Sequence, residues 1–165
     1  MATFTMRHEL DCDCERFWTL FFEKDFNEAL FKALEFPEWK LLDTKETNTS
    51  IVRTVKATPK MEVPAAVAKL LGSSFGYDEV GTFDKASKTL EFVIKPNVMT
   101  EKLRNEGSVK CEPRGEGKST RVVEITAEAK VFGVGGMIEG AFEKSFRTGW
   151  QKSADFINKW VKDHP

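Results

Sequence analysis

His8, Tyr77 and Glu139 are the side chains whose type and setting could support chemistry in this chain. His8 falls on the apolar face of an alternating stretch. An imidazole there acts either as a proton donor or ligand-orienting group, or as a partly buried histidine bonded to a neighbour. Glu139 lies one turn inside a long amphipathic segment, where a helix dipole stabilises a carboxylate. On an apolar face that carboxylate needs a partner, since an isolated buried charge is costly. The partner is a ligand hydroxyl or amine, or else a salt bridge or cap at the helix start. Tyr77, the only tyrosine, shares a strand face with Phe75 and Phe83. Cys12-x-Cys14, with His8 upstream and Cys111 remote, matches no zinc-ligand spacing, so no metal site is expected. Gly133-x-Gly135-Gly136 lacks the full GxGxxG pattern and its βαβ setting, and reads as a hinge before a helix. No Ser-His-Asp order, supported carboxylate pair or phosphate clamp is present. No catalytic residue is therefore assigned, and no cofactor is implied.

The element that must position these groups is the segment Gly133–Lys162. At about 100° per residue it is one long helix. Ile138, Phe142, Phe146, Phe156, Ile157 and Trp160 fall on one face, with Trp150 at its margin. Lys144, Arg147, Gln151, Asp155, Asn158 and Lys162 fall opposite. Gly149 and Ser153 interrupt the apolar face where large side chains are expected, which suggests the wall of a pocket. A glycine inside a helix costs about 1 kcal/mol relative to alanine, so something favours it there.

Thr3–Leu10 alternates strictly, with Phe4, Met6, His8 and Leu10 on one face of a half-buried strand. Asp11 or Asp13 can cap the next segment. Glu15–Phe22 and Phe26–Leu34 read as two short helices rich in Phe and Leu. From Trp39 the period changes to two. Trp39–Thr47 and Ser50–Thr58 form a hairpin, and Pro64 opens a short helix. Phe75–Asp84, Thr89–Lys95, Gly107–Glu112 and Ser119–Phe132 complete the strands. Pro96–Arg104 has no clear assignment. Short connections favour an antiparallel sheet. The predicted class is α+β: a curved antiparallel sheet of about seven strands gripping a long C-terminal helix, with two short helices after the first strand.

A length of 165 residues fits one domain, residues 1–165, with a sizeable core. The net charge of −1 gives no nucleic-acid footprint. No apolar run is long enough for a membrane span, and no signal-like leader opens the chain. The odd count of three cysteines fits a reduced, cytoplasmic protein. Charges of both signs interleave with the aromatics from Phe17 to Phe36, unlike the basic bias of a membrane-surface helix.

The order of elements resembles the START-like superfamily, also called the helix-grip or Bet v 1-like fold, over nearly the whole chain. The closest likeness runs through Gly117-Lys118-Ser119-Thr120, Glu124, Ala127 and Ala129 into Val131-Phe132-Gly133-Val134-Gly135-Gly136-Met137-Ile138-Glu139. It is similar to uncharacterised bacterial branches whose final helix begins Gly-Gly-x-Ile-Glu. Pro64 with Leu70-Leu71-Gly72 is similar to an insertion in that branch. The resemblance implies a cavity between sheet and helix that holds an apolar small molecule. Superfamily members include lipid-transfer proteins, hormone receptors, polyketide cyclases and a chaperone activator. The expected function is non-enzymatic binding or transport of a lipid-like or polycyclic molecule, with His8, Tyr77, Glu139, Phe142, Phe146, Gly149 and Ser153 as the ligand-binding candidates. The alternatives are a cyclase- or hydrolase-type enzyme using His8 or Glu139 as acid or base, and a protein-interaction module. Ligand identity and oligomeric state are left open.

Overall fold

The computed structural model covers residues 1–165. β1 (Ala2–Leu10) is followed by α1 (Cys14–Phe22) and α2 (Lys24–Ala33). Then come β2 (Glu38–Glu46), β3 (Ser50–Thr58), α3 (Ala65–Leu71), β4 (Tyr77–Asp84), β5 (Thr89–Pro96), β6 (Leu103–Pro113) and β7 (Ser119–Ala129). α4 (Gly135–Asp163) closes the chain. The seven strands form one antiparallel sheet in the order β1-β7-β6-β5-β4-β3-β2, so the first and last strands are neighbours and the rest is a meander. The class is α+β, and the fold is the curved sheet against a long helix expected from the residue pattern.

Local chemistry sets the boundaries. The Asp13 carboxylate accepts the Arg16 N–H at 2.8 Å and caps α1. The unassigned stretch after Pro96 splits into a turn and the start of β6, which runs four residues earlier than the pattern predicts. β7 ends three residues short of Phe132, which is fully exposed before α4. Gly133 adopts φ +79°, a conformation that suits glycine. An ideal Cβ on Gly135 would meet the Ala129 carbonyl oxygen at 2.4 Å, so this lead-in needs a bare backbone.

The buried face of α4 differs from the sequence expectation. Ile138, Phe142 and Ile157 are buried as expected, but so are Ala141, Ala154 and Val161, while Phe156 and Trp160 are only partly buried. Asn158 is not a solvent-face residue. It accepts the Asp11 N–H at 2.8 Å and donates to the Glu9 carbonyl at 3.1 Å, hooking the helix to the end of β1. α4 packs chiefly against β1 and β7, at one side of the sheet.

The apolar core is divided. A larger cluster joins β1, α1, α2 and the C-terminal half of α4 to the sheet. A smaller one joins α3, Phe75, Leu103 and the N-terminal half of α4. Tyr77 and Phe146 are the residues packed against both.

Candidate functional site

Strand alternation fixes which side chains face the helix. The inward positions on β3 are Arg53, Val55 and Ala57, and on β4 they are Tyr77, Glu79, Gly81 and Phe83. Register then aligns Val55, Glu79, Ile94, Asn105 and Ala127 in one row across five strands. The neighbouring row is Arg53, Gly81, Phe92, Gly107 and Ile125. Polar groups therefore occupy a face that is otherwise core.

Tyr77 and Glu79 are governed by burial. Desolvation drives the Tyr77 phenol well above its ordinary range, with the Glu79 charge adding to the effect. Desolvation also raises Glu79, against the opposing pull of the Arg53 guanidinium. Both residues nevertheless keep intermediate exposure. The fully enclosed Oδ1 of the buried Asn105 has no hydrogen-bond partner. On α4, an ideal Cβ on Gly149 would meet nothing within 4 Å. Contact with the sheet therefore does not account for the glycine.

Two arginines at inward strand positions are buried. Arg53 donates to the Phe21 carbonyl at 2.8 Å and lies 4.2 Å from the Phe21 ring centroid, joining β3 to the end of α1. Asn27 donates to the same carbonyl at 2.9 Å and pins α2 there too. Arg121 on β7 is 2% exposed and contacts no carboxylate. It donates to the Trp150 carbonyl at 2.7 Å, stacks over the Trp150 ring and pairs with His8 Nδ1 at 3.1 Å. Burial, then the Arg121 charge, lowers His8 to about 4, with Asp155 opposing. Burial lowers Arg121 to about 9.

The remaining sequence candidates sit as follows. Phe142 is buried and stacks on Phe75 with centroids 6.2 Å apart. Phe146 tilts against Phe4 at 6.4 Å. The Ser153 hydroxyl is turned back onto the Trp150 carbonyl at 2.7 Å. Glu139 has both oxygens engaged, one by the Met1 ammonium at 2.8 Å and one by the Ala129 N–H at 2.9 Å. Burial works to raise its pKa, but those hydrogen bonds prevail and hold it below the usual value. The structure packs Tyr77 and Phe146 against both apolar clusters. It places His8 with Arg121 and sets Glu139 apart, beside β7.

A family model described as "Protein of unknown function (DUF2505)" matches residues 5–161. The chain belongs to the DUF2505 family. No curated protein sequence matches this DUF2505 chain. Among solved structures, it is similar to a START superfamily protein from Mycobacterium smegmatis, at 12% identity and a TM-score of 0.61, covering 99% of each chain. It is also similar to the Zhui aromatase/cyclase from Streptomyces sp. R1128, at 8% identity and a TM-score of 0.68, covering 98% of this chain and 93% of that one. Norcoclaurine synthase from Thalictrum flavum matches at 15% identity and a TM-score of 0.63, over 99% of this chain and 88% of that one. At these identities the likeness is one of fold. The DUF2505 chain has the START-like, Bet v 1-like fold.

Sequence reasoning missed Arg53, Glu79, Asn105 and Arg121 in this DUF2505 protein. A signal existed, because each occupies an inward position of its strand's alternation. Two clefts of about 460 Å³ are present at the surface. One runs between α1 and the end of α4, beside Arg16 and His164, and the other between Pro64 and Met137. No group of three or more His, Cys, Asp or Glu side chains is arranged to hold a metal ion. No helix is long and apolar enough to cross a membrane.

Proposed function

We propose that the protein binds an apolar small molecule, lipid-like or polycyclic, in the concavity between α4 and strands β3–β6, without catalysing a reaction on it. The observation that carries this reading is the divided core. Tyr77 and Phe146 alone span the two clusters, and Gly149 offers no side chain to fill the gap between them. Burial of apolar ligand area supplies the affinity at roughly 25 cal/mol per Å². Phe146 and the Trp150 ring, which stacks on Phe92 with centroids 6.3 Å apart, supply flat apolar walls. Solved structures of the same fold include a named aromatase/cyclase and a named synthase, so shared fold alone does not choose between binder and enzyme.

Uptake of Nile red, followed by fluorescence titration, tests the reading. Saturable, stoichiometric uptake by the folded protein is expected. Gly149→Leu should keep or raise the melting temperature, because it gains up to about 1 kcal/mol of helix propensity and its Cβ enters open space. The same substitution should lower dye uptake. A sharp drop in melting temperature with uptake per folded molecule unchanged would count against the pocket. No saturable uptake of several unlike probes would favour a protein-interaction module.

A further inference from the structure

We propose that Tyr77, Glu79 and Asn105 form a polar subsite that receives an uncharged hydrogen-bonding head group, a hydroxyl or a carbonyl, on the bound apolar molecule. The inference rests on the binding reading above and narrows the ligand class.

Three observations converge. Glu79 and Asn105 lie in one row of the sheet, separated by Ile94 on the intervening strand, so their backbones are about 10 Å apart. Tyr77 is two residues from Glu79 on the same strand and points to the same face. The three side chains therefore frame a patch floored by Ile94, a distance that one or two ligand oxygens can bridge.

Asn105 is 2% exposed, and its enclosed Oδ1 accepts nothing. An unpaired buried amide is costly, and native interiors seldom leave one without a purpose. Other buried polar side chains here do find a partner: Ser119 donates to the Cys12 carbonyl, and Asn27 donates to two carbonyls. Trp18 Nε1, Arg114 Nε and Arg121 Nε are likewise enclosed and unpartnered, but Asn105 Oδ1 is the one such atom that shares its row of the sheet with Glu79.

Charge selects a neutral head group. The Glu79 carboxyl disfavours an anion at the patch. Arg53, diagonal to Glu79 on β3 and held in place by the Phe21 carbonyl, disfavours a cation. A hydroxyl or carbonyl needs neither charge, and the phenol, the carboxyl and the amide can each donate to it or accept from it.

The naphthalene series tests this by displacement of Nile red from the intact protein. 2-Naphthol should bind about tenfold more tightly than naphthalene, the gain from one or two enclosed hydrogen bonds. Asn105→Leu and Tyr77→Phe should each shrink that preference towards unity while leaving naphthalene affinity unchanged or improved. Circular dichroism checks the fold of both variants, and Tyr77→Phe, which removes one oxygen, decides the matter if Asn105→Leu does not fold. Equal binding of 2-naphthol and naphthalene, or a preference that survives in the folded variants, overturns the subsite while leaving the pocket standing. Tighter binding of 2-naphthoate than of 2-naphthol also overturns it, and assigns the head group to the arginines. If neither these compounds nor Nile red bind saturably, the pocket itself is refuted, and the subsite with it.

Discussion

Gly107→Ala is expected to be among the most damaging single substitutions in the chain, lowering stability by roughly 3 kcal/mol. A Cβ at Gly107 would lie 2.2 Å from the Glu124 carbonyl oxygen and 2.8 Å from the Phe92 ring. The first neighbour is backbone of the adjoining strand and cannot step aside. The second is the ring that crosses the glycine and stacks on Trp150. Relief of either clash therefore disturbs the β6–β7 pairing or the aromatic wall. For a chain of this length the melting temperature should fall by roughly 10 °C. Gly149→Ala is the internal control. It meets nothing within 4 Å, and should stabilise by up to about 1 kcal/mol. Similar melting temperatures for the two alanine variants would show that Gly107 is not the close approach described above.

Acid sensitivity between pH 6.5 and 5 should belong to His8. Its pKa in the folded protein is about 4, against an ordinary value of 6.5. A group whose folded pKa is depressed contributes stability that is complete above the unfolded value and is lost as pH falls towards the folded one. Across the full span from the unfolded to the folded value the contribution is about 3 kcal/mol. The cause is first burial, which disfavours the imidazolium, and then the neighbouring Arg121 guanidinium, with Asp155 offsetting these only in part. Thermal melts of the parent protein should fall steadily from pH 6.5 downwards. His8→Gln should flatten that limb. An acid limb of unchanged slope in the variant would show that some other group is responsible.

The fold was legible in the sequence because it is written in periods. Strict alternation marks β1 and β7, and the apolar stripe from Ile138 to Trp160 marks α4, so the class follows from the order of elements. The start of β6 was not legible. Leu103-Arg104-Asn105-Glu106 offers one apolar residue in four, and its strand character comes from pairing with β5 and β7. The candidate site was legible only in its apolar part. Tyr77, Phe146 and Gly149 stand out by type against their surroundings. Arg53, Glu79 and Asn105 do not, because a polar residue in a strand is ordinarily taken to face water. Only the register between strands brings them to one row and its neighbours. Glu139 shows the converse. Its place at a helix start was evident, but its partners come from β7 and the amino terminus, which sequence spacing does not bring near.

The divided core also bears on how the molecule opens. α4 is continuous in hydrogen bonding, yet its two halves are anchored to different bodies. Ile138, Ala141 and Phe142 belong to the smaller cluster with α3, while Ala154, Ile157 and Val161 belong to the larger one. Only Tyr77 and Phe146 couple them, so the free energy of opening should change along a single helix. The first turns of α4, with α3, form a subunit of cooperativity that can loosen while the remainder stays folded. Amide exchange should accordingly be faster before Phe146 than after Trp150. Uniform protection along α4 would mean that the two clusters melt as one. A graded helix of this kind works as a hinge with no hinge sequence, and would give the proposed ligand a route in on the α3 side.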